Sequence, residues 1–161
     1  MLKKHEMTNK KHFINWSNQY QCRPIYVHHP ASTGEARNII RQAVERKTKI
    51  RVFGSGHSPS DIAMSNYDLI CSDRLNQILN INWDSQTIVT QAGVTLKELS
   101  EGLGQHGLAL PNLGSISDQT VGGAIATATH GTGLNYGILS TIIQEITLVT
   151  AVSYTHLTLP T

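Results

Sequence analysis

Between Ile25 and Ser60 the chain alternates in a way that leaves few folds open. Pro30 introduces a helix that Ser32 or Thr33 can cap. Ala36, Ile39, Ile40, Ala43 and Val44 then recur as one apolar stripe of helical period. Arg46 and Lys47 fall in the last turn, where cations suit the helix dipole. A strand is expected before the helix, Ile25–His28, and another after it, Lys49–Phe53, which runs straight into Gly54. Strand, helix, strand and glycine loop make a βαβ pattern. That pattern favours a parallel pair and a ligand at the carboxyl ends of the strands.

The remainder of the chain adds antiparallel character. Tyr67–Cys71 reads as a strand, and Ile78–Trp83 and Thr87–Gln91 flank a short Asp-Ser-Gln turn as a hairpin. Thr95 can cap a helix over Leu96–Leu103, with Glu98 completing a capping box and Gly104 and Gly107 ending it. Ile142–Val149 reads as a final strand. The mixture predicts an α+β fold. Residues 1–13 read as a polar tail and 14–152 as the domain. Residues 153–161, SYTHLTLPT, follow a strand with no turn chemistry and read as a tail foreign to the fold.

Composition excludes several classes. A chain of 161 residues with 39% hydrophobic and 15% charged residues suits one globular domain. A net charge of +2 is too weak to argue for nucleic acid. Cys22 and Cys71 are far apart in sequence and form neither a disulfide framework nor a metal spacing. The N-terminus has no apolar core of a secretory signal, and no apolar run is long enough to span a membrane. Lys3, Lys4, Lys10 and Lys11 could touch an anionic surface, but a solvated terminus is the plainer reading.

The stretch RVFGSGHSPSD, Arg51 to Asp61, carries the chemistry. A Walker-type loop needs other spacing and a lysine, and a Rossmann fingerprint needs a third glycine and a following helix. A third use remains. Successive amides around Gly54, Ser55 and Gly56 can form an anion nest, and Ser58 and Ser60 add hydroxyl donors. The neutral imidazole of His57 is then a nucleophile facing a cofactor ring. The competing reading is that His57 only hydrogen-bonds within a tight turn. A second cluster gives Gly114, Ser115, Gly122, Gly123, Gly131 and Gly133, with Thr127, Thr129 and His130. Two such segments suit a long dinucleotide, while close packing of a Gly/Ala-rich helix accounts for part of the pattern. Other candidates are thinner. His57, His130 and Asp61 as metal ligands sit in the wrong glycine context. Ser115 and Ser117 lack the pattern of a nucleophile elbow. Trp16 and Trp83 read as core or surface anchors.

Four motifs in order, GSGHSPSDIA, VTQAG, HGLALPNLGSIS and GGAIATATHGTG, resemble the flavin-binding domain of the sugar-lactone oxidases. These belong to the vanillyl-alcohol-oxidase-like flavoproteins, and the resemblance runs from about Phe13 to Ala151. It implies a two-subdomain FAD-binding fold of the PCMH type, with FAD as cofactor. It implies that His57 attaches covalently to the 8α carbon of FAD. Arg51, Val52, Phe53, Gly54, Ser55, Gly56, Ser58, Pro59 and Ser60 would wrap the pyrophosphate. Gly114, Ser115, Ser117 and Asp118 would pass the flavin ring and diphosphate. Gly122, Gly123, Thr127, Thr129, His130 and Gly131 match further FAD-contacting positions, and Ile146 would lie on the adenine side. Related plant dehydrogenases carry an alanine at the position of Gly114 that hinders oxygen, so Gly114 implies an oxidase. The activity implied is oxidation of an aldono-1,4-lactone, D-arabinono- or L-gulono-, by O2, giving H2O2 and an ascorbate-type product. A sugar-alcohol oxidase and a non-catalytic FAD-binding module are the alternatives. The family's substrate-binding half lies in a C-terminal domain, so no catalytic residue is expected in this stretch. Relatives are often bound to mitochondrial or endoplasmic-reticulum membranes.

Overall fold

The computed structural model describes residues 12–151 and 154–158. Phe13–Ile14 (β1) and Gln21–Cys22 (β2) form a small antiparallel hairpin. Tyr26–His28 (β3), helix Thr33–Glu45 (α1), Ile50–Phe53 (β4) and Asp68–Cys71 (β5) follow. The elements of the βαβ pattern are present, but their pairing differs from expectation. β3 and β4 are not neighbours: each pairs in parallel with β5, giving the order β3-β5-β4. All four residues of β5 are buried, so it takes the central place, where both faces are covered.

One face of this sheet closes on Cys22, Leu69 and Cys71, with Phe13, Val27, Phe53 and Met64 packed around them. Phe13 and Phe53 meet edge-on at 5.2 Å between centroids, which fastens the hairpin to β4. The two cysteines, remote in sequence, therefore share one core and are both free thiols. Burial pushes the Cys22 thiol above its ordinary value, opposed by a hydrogen bond to the backbone of Ser65.

The helix stripe is narrower than its periodicity suggests. Ser32 is the cap, accepting from the Glu35 amide at 3.2 Å, but only Ala36 and Ala43 are buried and Val44 is exposed. Arg46 does not serve the dipole within the last turn. It is the C-cap residue, and its guanidinium crosses the Tyr26 ring at 4.9 Å to donate to Asp68 Oδ1 at 2.6 Å. Asp68 is wholly buried, and its carboxylate also takes the Thr48 hydroxyl at 2.6 Å and His28 Nε2 at 2.8 Å. A buried carboxylate needs such a set of donors, and that need fixes where Arg46 goes.

The second half is built on a separate core of Val94, Leu96, Leu99, Leu103, Val121, Ala124 and Leu139. Ile78–Asn82 (β6) and Thr87–Thr90 (β7) form the expected hairpin, with Gln86 at φ 52 in its turn. Leu96–Gly104 (α2) carries the complete capping box of Thr95 and Glu98. Val121–Ala126 (α3) follows. The last expected strand starts later than predicted: a 3-10 helix occupies Leu139–Ile142, and the strand is Glu145–Val149 (β8). Tyr154–Thr158 (β9), within the stretch expected to be a foreign tail, pairs antiparallel with β8 over its whole length. Parallel and antiparallel pairs with helices on them make the α+β class.

Candidate functional site

β4 delivers Gly54 to the carboxyl edge of the parallel sheet, and there the two glycine segments meet. A Cβ on Gly54 would overlap Thr120 Oγ1, so only glycine allows this approach. Thr120 is the cap of α3, its hydroxyl accepting from the Gly123 amide at 3.3 Å. Gly56 has φ 73, a left-handed conformation that turns the loop back under Phe53. The amides of Gly54, Ser55, Gly56 and His57 find no acceptor among the described residues. A run of amides without internal acceptors can form an anion nest. Ser58 Oγ and Ser60 Oγ lie 3.1 Å apart at its far side. Arg51, Val52 and Pro59 are exposed, and Phe53 faces the core.

The ring of His57 is half-buried, and its Nδ1 is buried with no hydrogen-bond partner. The reading in which His57 serves the turn by hydrogen bonding finds no partner at Nδ1 among the described residues. Among the described residues its ring neighbour is Trp16, nearly parallel at 17° and 6.4 Å between centroids.

The second segment doubles back on itself. A Cβ on Gly114 would lie 3.3 Å from the His130 carbonyl and 3.5 Å from Thr129 Cγ2. Gly131 packs without space for a Cβ against Asn112 and Leu113, and Asn112 Nδ2 donates to the Thr132 carbonyl at 3.2 Å. Residues 112–114 and 129–132 therefore run side by side. The Gly122 amide donates to the Ala92 carbonyl at 2.8 Å, which ties α3 to the VTQAG stretch. The amides of Gly114, Ser115, Ile116, Ser117 and Asp118 find no acceptor among the described residues.

Not every expected residue is free for a ligand. The Thr127 hydroxyl donates to the Gly123 carbonyl at 2.9 Å, and His130 Nδ1 lies 2.8 Å from the Gly131 carbonyl. Thr129 Oγ1 accepts from Gln119 Nε2 at 3.4 Å. Ile146 sits on β8 opposite Leu157, and no hydrogen bond joins it to either glycine segment. Among the described residues no three His, Cys, Asp or Glu side chains could hold a metal, so His57, His130 and Asp61 do not assemble. No helix among them is long and apolar enough to cross a membrane.

Sequence reasoning missed Asn15, Trp16 and Thr120. Thr120 could have been found as the cap before VGGAIA. Nothing in the sequence marks the other two.

Gly54 against Thr120 brings the first run of unpaired amides to the segment that carries the second, and amides without acceptors can bind an anion. A family model described as the FAD binding domain matches residues 24–156. The chain belongs to this FAD-binding family. It is 41% identical over 139 residues to the L-gulonolactone oxidase of Mus musculus, covering 86% of this chain and 32% of that protein. It is 40% identical over 141 residues to the D-arabinono-1,4-lactone oxidase of Eremothecium gossypii, covering 85% of this chain and 26% of the relative. The L-gulono-1,4-lactone dehydrogenase of Mycobacterium tuberculosis is 36% identical over 137 residues, with 85% and 32% covered. This FAD-binding chain thus spans no more than about a third of these relatives. Among solved structures, a solvent-stable cholesterol oxidase superposes with a TM-score of 0.79 at 23% identity, over 91% of this chain and 32% of that one, a likeness of fold.

Proposed function

We propose that this chain is the FAD-holding part of a sugar-lactone oxidase. The observation that carries the reading is the contact of Gly54 with Thr120, which joins two runs of unpaired amides. In this reading the amides of Gly54–His57 and Gly114–Asp118 hold the diphosphate. Ser58 and Ser60 add hydroxyl donors, and a ring nitrogen of His57 carries the covalent bond to the cofactor. Bound there, FAD supplies a hydride acceptor and passes two electrons on to O2.

The substrate is an aldono-1,4-lactone of the L-gulono or D-arabinono kind, the compounds for which the relatives are named. It loses two hydrogens to give an ascorbate-type product, and O2 takes them up as H2O2. Gly114 stands where related plant dehydrogenases carry an alanine, which favours an oxidase in this reading, although the methyl it omits would meet the His130 carbonyl and Thr129 Cγ2. In this reading the groups that bind the lactone lie in the length of the relatives that this chain does not span.

Denaturing the protein and scanning its absorbance tests the cofactor assignment. A flavin spectrum should stay with the precipitated wild type and move to the supernatant in His57→Ala. Peroxide release by the full-length protein should be faster with the two lactones than with alditols. Faster turnover of alditols would favour the sugar-alcohol oxidase, and absence of any bound flavin would end the proposal.

A further inference from the structure

We infer that Trp16 is a positioning residue for His57, held in place by Asn15, an inference that rests on the covalent role of His57 proposed above. Among the described residues no hydrogen bond holds Nδ1 of the imidazole, which is buried without a partner. Its plane is set instead by the indole of Trp16, 17° from parallel. The backbone on either side of His57 is held by the same turn. The Trp16 amide donates to the Gly56 carbonyl at 3.0 Å, and Asn15 Nδ2 donates to the Ser58 carbonyl at 3.1 Å.

The turn is prebuilt. Asn15 is 2% exposed, and its Oδ1 accepts from the Gln19 and Tyr20 amides, each at 3.0 Å. Its Nδ2 also reaches Ser17 Oγ at 2.9 Å. Asn18 takes the left-handed conformation, φ 58, that closes the loop. Phe13 against Phe53 and Cys22 in the core hold the hairpin that carries this turn. Trp16 itself is 58% exposed, so core burial does not explain its place over His57.

Attachment needs a fixed imidazole. A ring nitrogen forms a bond to the 8α methyl carbon, one C–H bond breaks, and the N–H and methyl protons leave. The two electrons pass through the ring system to O2, which becomes H2O2. Such a step requires the reacting atoms to be aligned at about 3–3.5 Å, and loose alignment lowers the rate steeply. A freely turning imidazole would lose that alignment, and the Trp16 indole prevents the turning.

The test uses flavin-free wild-type protein, Trp16→Ala, Trp16→Phe, His57→Ala and the double variant Trp16→Ala/His57→Ala. Each is incubated with FAD, and flavin fluorescence retained after denaturation is followed in time. Trp16→Ala should slow attachment by about tenfold or more. Trp16→Phe should restore most of the rate. Reversible FAD affinity, read by fluorescence quenching, should differ by no more than about twofold between His57→Ala and the double variant. An unimpaired attachment rate in Trp16→Ala overturns the inference. So does an affinity loss equal in the two His57 backgrounds, because the indole would then act on the fold or on the cofactor directly. Wild type that binds FAD and never attaches it sinks the covalent reading and this inference with it. Wild type that attaches FAD alongside an unimpaired Trp16→Ala sinks the inference alone.

Discussion

At Gly54 a single missing carbon decides whether the two glycine segments can touch. Its Cβ would overlap Thr120 Oγ1 and lie 3.3 Å from Thr120 Cγ2. Thr120 cannot yield cheaply, because a β-branched side chain has few rotamers and its hydroxyl caps α3. Gly54→Ala should therefore lower stability by about 1–3 kcal/mol in urea unfolding and reduce bound flavin together with it. Gly34 offers the contrast. It lies inside α1 with nothing closer than Ser32 Oγ at 3.8 Å, so Gly34→Ala should be neutral or stabilising. Equal losses from the two changes would contradict the steric account. At this scale the sequence was legible where chemistry is local. The GSGHS loop announces a turn with amides to spare, and His57 stands out within it. Trp16 was not legible, because its partnership with His57 depends on a hairpin far away along the chain.

Helix ends were the most legible elements, because a cap is written within four residues. Thr95 and Glu98 form the expected box: the Thr95 amide and hydroxyl each donate to Glu98 Oε2 at 2.8 Å, and the Glu98 amide donates to Thr95 Oγ1 at 3.1 Å. The backbone bond from Thr95, then its hydroxyl, holds the Glu98 carboxyl below its ordinary value. A depressed carboxyl contributes its full stabilisation above the ordinary value and loses it as acid protonates the folded form. The melting temperature of wild type should thus exceed that of Glu98→Gln at neutral pH. The gap should close between about pH 5 and pH 3, and a gap constant across that range would show that charge is irrelevant to the box. Sheet order was the illegible part. A βαβ reading places β3 beside β4, but β5 comes between them because it alone is buried throughout. That placement also draws Arg46 off the helix end to Asp68, a pairing that no local pattern in α1 discloses.

The described residues form two cores, one around Leu69 and one around Val94. They are joined at Gly54 against Thr120 and at Gly93, whose amide donates to the Leu75 carbonyl at 2.8 Å. The proposed diphosphate site uses amides from both sides of that seam, so FAD should act as a bridge. A ligand at 100 times its dissociation constant adds about 2.7 kcal/mol to the folded state, or roughly 5–10 °C for a domain of this size. The chain's two tryptophans can report the halves separately. Trp16 stacks on His57 in the first half, and Trp83 meets His106 edge-on at 5.4 Å in the second. In Trp83→Phe the remaining fluorescence follows the first half, and in Trp16→Phe it follows the second. A ligand bound across the seam must raise both midpoints and bring them together. A ligand held by the GSGHS loop alone would raise the midpoint reported by Trp16 and leave that of Trp83 in place, and the two-sided site would then be wrong.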